Sequence, residues 1–173
     1  MSNKKASGFS LVELVIVIVI IGVIAAIAIP RVTQASKGAG DAALKSNLSI
    51  LRNAIELYAS EHNGVYPGKL PPDGYSEADK AFEAQLTMFS NIRGEVSTFK
   101  DADHPLGPYL AKSIPTLVVG TNGTSRSVKV ESGETPLTVD ESGGYAWIYN
   151  CDTGEIIANS SELSESGKPY NEF

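Results

Sequence analysis

A single carboxylate, Glu13, stands in a run of 21 residues, Phe9 to Ile29, that otherwise carries no charge. An ionised carboxylate inside an apolar helix is costly, so a residue of this kind signals a function and calls for a cation. No Lys or Arg lies between Lys5 and Arg31. An amine freed at Phe9 by cutting after Gly8 would serve, because it would sit four residues from the acid. A helix does not easily fold that amine back onto its own Glu13, whereas a neighbouring copy displaced along the axis presents one. The chemistry suggested is an ion pair between copies, with self-assembly as its consequence.

The element that must position Glu13 is the run itself. At about 1.5 Å rise per residue it is roughly as long as the hydrocarbon core of a bilayer is thick. Lys4 and Lys5 precede it with no acidic neighbour, which places the N-terminus in the cytoplasm by the positive-inside rule and the rest of the chain across the membrane. Two plainer readings stand beside this one. A secretory signal peptide also begins with lysines, and Ala26-Ile27-Ala28 has the form of its cleavage site. A simple single-pass anchor needs only the length. Both leave Gly8-Phe9 and Glu13 unexplained.

The succession Gly8, Phe9, Ser10, Leu11, Val12, Glu13, followed by an apolar stretch ending in Ala28, Ile29, Pro30, closely resembles the class III signal of type IV pilins and type II secretion pseudopilins. The resemblance implies that a prepilin peptidase cuts between Gly8 and Phe9 and methylates the new Phe9 amine. It also places Glu13 at the family's assembly carboxylate, and Gly22 and Pro30 at positions where the helix loosens when subunits enter a filament.

The remaining chain offers enough residues for one modest core. Residues 62–173 carry eight basic and sixteen acidic side chains, so the head is acidic and unsuited to nucleic acid. The one cysteine, Cys151, cannot form an internal disulfide. It reads as a small buried hydrophobe, with an intermolecular bridge as the alternative. His62 and His104 lie at no ligand spacing to a second His or Cys. Walker, G-x-G-x-x-G, G-x-S-x-G and H-E-x-x-H patterns are absent, which argues against an enzyme. Asn47-Leu48-Ser49, Asn122-Gly123-Thr124 and Asn159-Ser160-Ser161 match the glycosylation tripeptide.

Periodicity predicts the elements. Past Pro30, which should kink the helix, and the weak point Gly38-Ala39-Gly40, Asp41 can cap a fresh start. Leu44, Leu48, Leu51, Ile55 and Tyr58 then form one apolar stripe, which ends near His62-Asn63-Gly64. A proline-containing loop follows, then a capping box at Ser76 and Asp79 and a short helix marked by Phe82, Leu86 and Phe89. Thr116–Val119 and Ser127–Val130 are predicted to form a hairpin through Asn122-Gly123. A second hairpin joins Tyr145–Tyr149 to Glu155–Ala158 through Asp152-Thr153-Gly154. The predicted fold is α+β, a long N-terminal helix packed on a small antiparallel sheet. Its parts are a leader (1–8), a membrane or filament-core helix (9–29), an amphipathic helix (30–61), a head (62–159) and a flexible polar tail (160–173).

The head carries a looser resemblance. Ala84-Gln85-Leu86-Thr87, Gly107-Pro108-Tyr109-Leu110 with Ile114-Pro115, and Trp147-Ile148-Tyr149 with Thr153-Gly154-Glu155-Ile156 and Ala158-Asn159 look like landmarks of heads related to the major type II secretion pseudopilin. In that subfamily calcium often braces a loop near the last strands. Asp140 and Glu141, or Asp101 and Asp103, have suitable oxygens, but solvated loop carboxylates are the competing reading and no cofactor is assigned. The resemblance implies a non-enzymatic subunit of a homo-oligomeric filament. Its partners would be prepilin peptidase, an assembly ATPase, an inner-membrane platform and other pseudopilins, with the head in the periplasm. A surface pilus subunit, a membrane-tethered ligand-binding head and an enzyme released after Ala28 are the alternatives.

Overall fold

The computed structural model describes residues 10–133 and 136–173, with side chains for all of these except 29–36. The fold is α+β and divides into two compact units, Met1–Gly38 and Ala39–Phe173. Helix α1 (Leu11–Glu61) contributes to both. In the first unit its Leu11–Ala28 segment has a mean hydropathy of 3.2, and none of it is buried. Such a Val- and Ile-rich stretch has modest helix propensity in water. In an apolar medium a helix satisfies every backbone N–H and C=O internally, and that decides the conformation.

In the second unit the predicted stripe is buried: Leu44, Leu48, Leu51, Ile55 and Tyr58 form one wall of the core. Asp41 starts no new helix. It lies within α1, and its Oδ2 accepts the Glu165 N–H at 3.0 Å, so its carboxylate ties down a distant turn. α1 ends as its sequence predicts. Asn63 and Gly64 both take positive φ, and the Gly64 N–H reaches back to the Ala59 carbonyl at 2.8 Å, closing the last turn.

Helix α2 (Ala78–Thr87) buries Phe82 and Leu86, but the expected Ser76 capping box is not formed. Glu77 occupies the cap position and its carboxylate takes Lys80 at 2.6 Å. Strands β1 (Phe89–Ser90) and β2 (Val96–Ser97) make a minimal antiparallel ladder. The main sheet has the order β3 (Val128–Glu131), β4 (Trp147–Asn150), β5 (Ile156–Ala158).

The β4–β5 hairpin is the predicted one, and it pairs Ile148 with Ile157. The first predicted hairpin is not. Residues 116–119 form no strand, and β3 runs parallel to β4, so the sheet is mixed. The reason lies in competing hydrogen bonds. The Asn47 amide takes the Thr116 carbonyl (2.9 Å), the Trp147 indole takes that of Pro115 (2.9 Å), and the Ser127 carbonyl accepts from Ala146 and Trp147. Two bonds between Leu117 and the Thr124–Ser125 pair close the turn and no ladder follows.

Trp147 and Tyr149 carry one face of β4 into the core with the α1 stripe, and Tyr149 meets Phe82 with ring centroids 4.4 Å apart. Residues 160–173 are not a loose tail. Leu163 bridges Pro169, Tyr170 is buried, and a short 3-10 turn covers Tyr170–Glu172. Two aromatic residues in a polar segment suffice to anchor it, because each buries a large apolar area.

Candidate functional site

Glu13 lies in the first turn of α1, where a carboxylate complements the positive end of the helix dipole. Its Oε2 lies 3.5 Å from the Ser10 N–H, a long contact that leaves the carboxylate accessible. Around and beyond it the apolar side chains Leu11, Val12, Leu14 to Ile21, Val23, Ile24 and Ile27 are all exposed, so the segment is apolar on every side. A surface of this extent must be covered by lipid or by other chains. Gly22 lies on the same helix, and nothing beyond the helix's own backbone and its chain neighbours comes within 4 Å of where a Cβ would stand. Pro30 is also within α1, and its side chain lies outside the described residues, as do Gly8 and Phe9 entirely.

The remaining sequence candidates sit in the second unit and are taken up by the fold. Asp140 accepts Ser142 Oγ at 2.7 Å and Lys129 Nζ at 2.9 Å, and these two contacts, the hydroxyl foremost, hold its carboxyl below the usual range. Glu141 accepts both the backbone and the hydroxyl of Ser161. Asp101 Oδ1 receives the Asp103 N–H together with the backbone and ring nitrogens of His104. These carboxylates are committed to internal partners, and among the described residues no group of three His, Cys, Asp or Glu is placed to hold a metal. Cys151 is buried in the core, and that burial raises its thiol pKa. The asparagines of the three glycosylation tripeptides are partly or fully buried, and two of them are bonded within the fold. Asn47 bonds Thr116, the Asn122 amide nitrogen is buried, and fully buried Asn159 spans the Asp140 and Tyr145 carbonyls.

One cluster went unread in the sequence. His62 stacks on Tyr58 at 3.7 Å between ring centroids, with Nδ1 against the Tyr58 carbonyl (2.8 Å) and Nε2 against Ser90 Oγ (3.1 Å). Tyr109 packs edge-on to the His62 ring and donates its hydroxyl to Glu61 at 2.6 Å. The serine–histidine contact has no carboxylate on Nδ1, and Ser90 is fully buried, so it joins β1 to the end of α1 instead of arming a nucleophile. The spacing of Tyr58 and His62, four residues apart at the helix end, was the one local hint, since the other partners lie 28 and 47 residues away.

What decides the chemistry is therefore the exposed apolar helix and its lone acid. Residues 3–29 match the prokaryotic N-terminal methylation motif. The match includes Gly8, Phe9, Glu13 and Gly22 and ends one residue before Pro30. The chain thus carries a prepilin-type signal of the type IV pilin-like kind, joined to an apolar helix suited to membrane anchoring. This motif implies processing by a prepilin peptidase and filament assembly in general, a structural role. Comparisons with curated proteins and with solved structures return no match.

Proposed function

We propose that the chain is a structural subunit of a pilus-like filament, and specifically a pseudopilin of a type II protein secretion system. In this reading the prepilin sits in the inner membrane with Lys4 and Lys5 on the cytoplasmic side and the head in the periplasm. Cleavage after Gly8 exposes the Phe9 amine, which is methylated. An assembly ATPase and an inner-membrane platform then insert the subunit among identical copies and other pseudopilins. Head-to-tail contacts between identical chains do not close, so the product is a filament. Apolar contact between the helices supplies cohesion. The pair between Glu13 and a neighbour's Phe9 amine sets the register, because a polar group in an apolar setting punishes misalignment. Gly22 and Pro30 are the points where the helix gives way on entry.

The observation that carries this reading is one carboxylate, placed four residues after the motif's cleavage point, on a helix that is otherwise uncharged from Leu11 to Ala28. Intact-mass and N-terminal measurement of the chain from cells tests it. A methylated Phe9 start supports the proposal. A Met1 start would indicate a plain anchor, and a start near Ile29 a secreted protein.

A further inference from the structure

Within the second unit, α1 presents two unlike flanks beside its buried stripe. Lys45 and Arg52 are seven residues apart and so share one side of the helix, whereas Glu61 lies nine residues beyond Arg52, about half a turn round and about 14 Å further along the axis. Ile50 and Leu57 fall on the Glu61 side and remain 46% and 51% exposed, although they belong to the head and not to the apolar span. The basic flank forms a groove of about 290 Å³ lined by Lys45, Arg52 and Phe173 among others. Lys45 and Lys168 both stand over the Phe173 ring, at 4.9 and 5.3 Å. The ion pairs among the described residues use Lys69, Lys80, His104 and Lys129, which leaves Lys45, Arg52 and Lys168 without a side-chain carboxylate. Glu56, one turn beyond Arg52, is held instead by the Tyr66 hydroxyl at 3.5 Å.

Arg52 and Glu61 are each held in place with bonding capacity left over. Arg52 Nη2 donates to the main-chain oxygens of Ile156 (3.2 Å) and Phe173 (2.8 Å), leaving the rest of its donor fork unused. Glu61 is oriented by the Tyr109 hydroxyl through Oε2, leaving Oε1 available. Because they point from opposite sides of one rod, they cannot satisfy each other within a molecule.

We propose that Arg52 of one copy pairs with Glu61 of the next. This heterologous contact sets the basic flank against the Ile50–Leu57 flank and displaces the copies by about 14 Å along α1. It rests on the filament reading, and it names the surface of the head through which copies meet. Charge complementarity selects the second copy as occupant, and fixed side chains lose little entropy on pairing. The aliphatic stems of Lys45 and Arg52 cover the exposed Ile50 and Leu57.

The test uses full-length chains in a Cys151→Ser background, expressed with the assembly machinery and treated with a short bismaleimide. Co-expressed Arg52→Cys and Glu61→Cys chains are expected to cross-link as the mixed pair. Like pairs of either residue, or no cross-link in polymers that do form, overturn this contact while leaving the filament reading intact. Absence of any polymer from the Cys151→Ser chain defeats both. In parallel, Arg52→Glu and Glu61→Arg should each lower polymer yield about tenfold and the double exchange should restore it. If Arg52→Glu instead weakens only binding to phosphatidylglycerol vesicles, the groove faces lipid and the proposal fails.

Discussion

At the scale of single residues, the head is held by polar groups whose partners come from far along the chain. His62 is the clearest case, buried between Tyr58, Ser90 and Tyr109 with Glu61 at its edge. Burial holds its pKa below the ordinary value of 6.5, against the opposing pull of the Tyr58 and Asn91 backbone contacts and of Glu61. Between the lowered pKa and 6.5 the folded protein binds fewer protons than the unfolded chain, so stability is full above 6.5 and declines as the pH falls through that window. The melting temperature of the head should drop on acidification from about pH 7 to about pH 5, and His62→Gln should flatten that part of the profile. Asp101 and Glu141 act in a separate, more acidic window. Their carboxyls are held low, by the His104 ring first for Asp101 and by Ser161 for Glu141, and that contribution is lost only when they protonate.

Gln85 offers a second test at this scale. Its buried amide accepts the Gly68 N–H at 2.7 Å and donates to the Leu70 and Gly94 carbonyls at 3.0 Å each, fastening two loops to α2. Gln85→Met would orphan these groups at a cost of about 2–4 kcal/mol, measurable by urea unfolding. Gly94→Ala should cost a similar amount, about 2–4 kcal/mol, since φ is +83° and a Cβ would stand 2.7 Å from the Tyr58 hydroxyl. Glu13→Ala belongs here too. Leader cleavage should proceed normally in this variant while assembly is impaired, and normal filaments would refute the proposed role.

At the scale of elements, the α1 stripe was legible because its signal is local: five apolar residues at alternating spacings of four and three define one helix face. Leu51→Ala, at the centre of that face, should lose about 2–5 kcal/mol in the same unfolding measurement. The β4–β5 hairpin was legible for a related reason, since its turn and alternation fall within a dozen residues. The pairing of β3 with β4 was not. It depends on Asn47 and Trp147 taking the Thr116 and Pro115 carbonyls, partners 69 and 32 residues away that no local pattern announces. The C-terminal segment misled differently, because its polar composition outweighed Tyr170 and Phe173, which anchor it. Of the candidate site, the residue types of Gly8, Phe9 and Glu13 could be read directly, whereas the His62 cluster exists only once β1 meets the end of α1.

At the scale of the molecule, two units with opposite solvent preferences share one helix. The first exposes an apolar surface from Leu11 to Ala28, and the second encloses its own core from Leu44 to Tyr170. The full chain should therefore partition into membranes or require detergent. Residues 39–173 expressed alone should be soluble and melt cooperatively, as circular dichroism would show. A non-cooperative or aggregating fragment would mean that the head depends on the apolar segment.

The central position of β4 sets the timing of the head's folding. Trp147 and Tyr149 belong to the core, and β3 has no strand partner until residue 147 arrives, so a growing chain keeps Leu44, Leu48 and Leu51 wet until most of its length has been made. Until then those three side chains stay open to solvent and to other apolar surfaces.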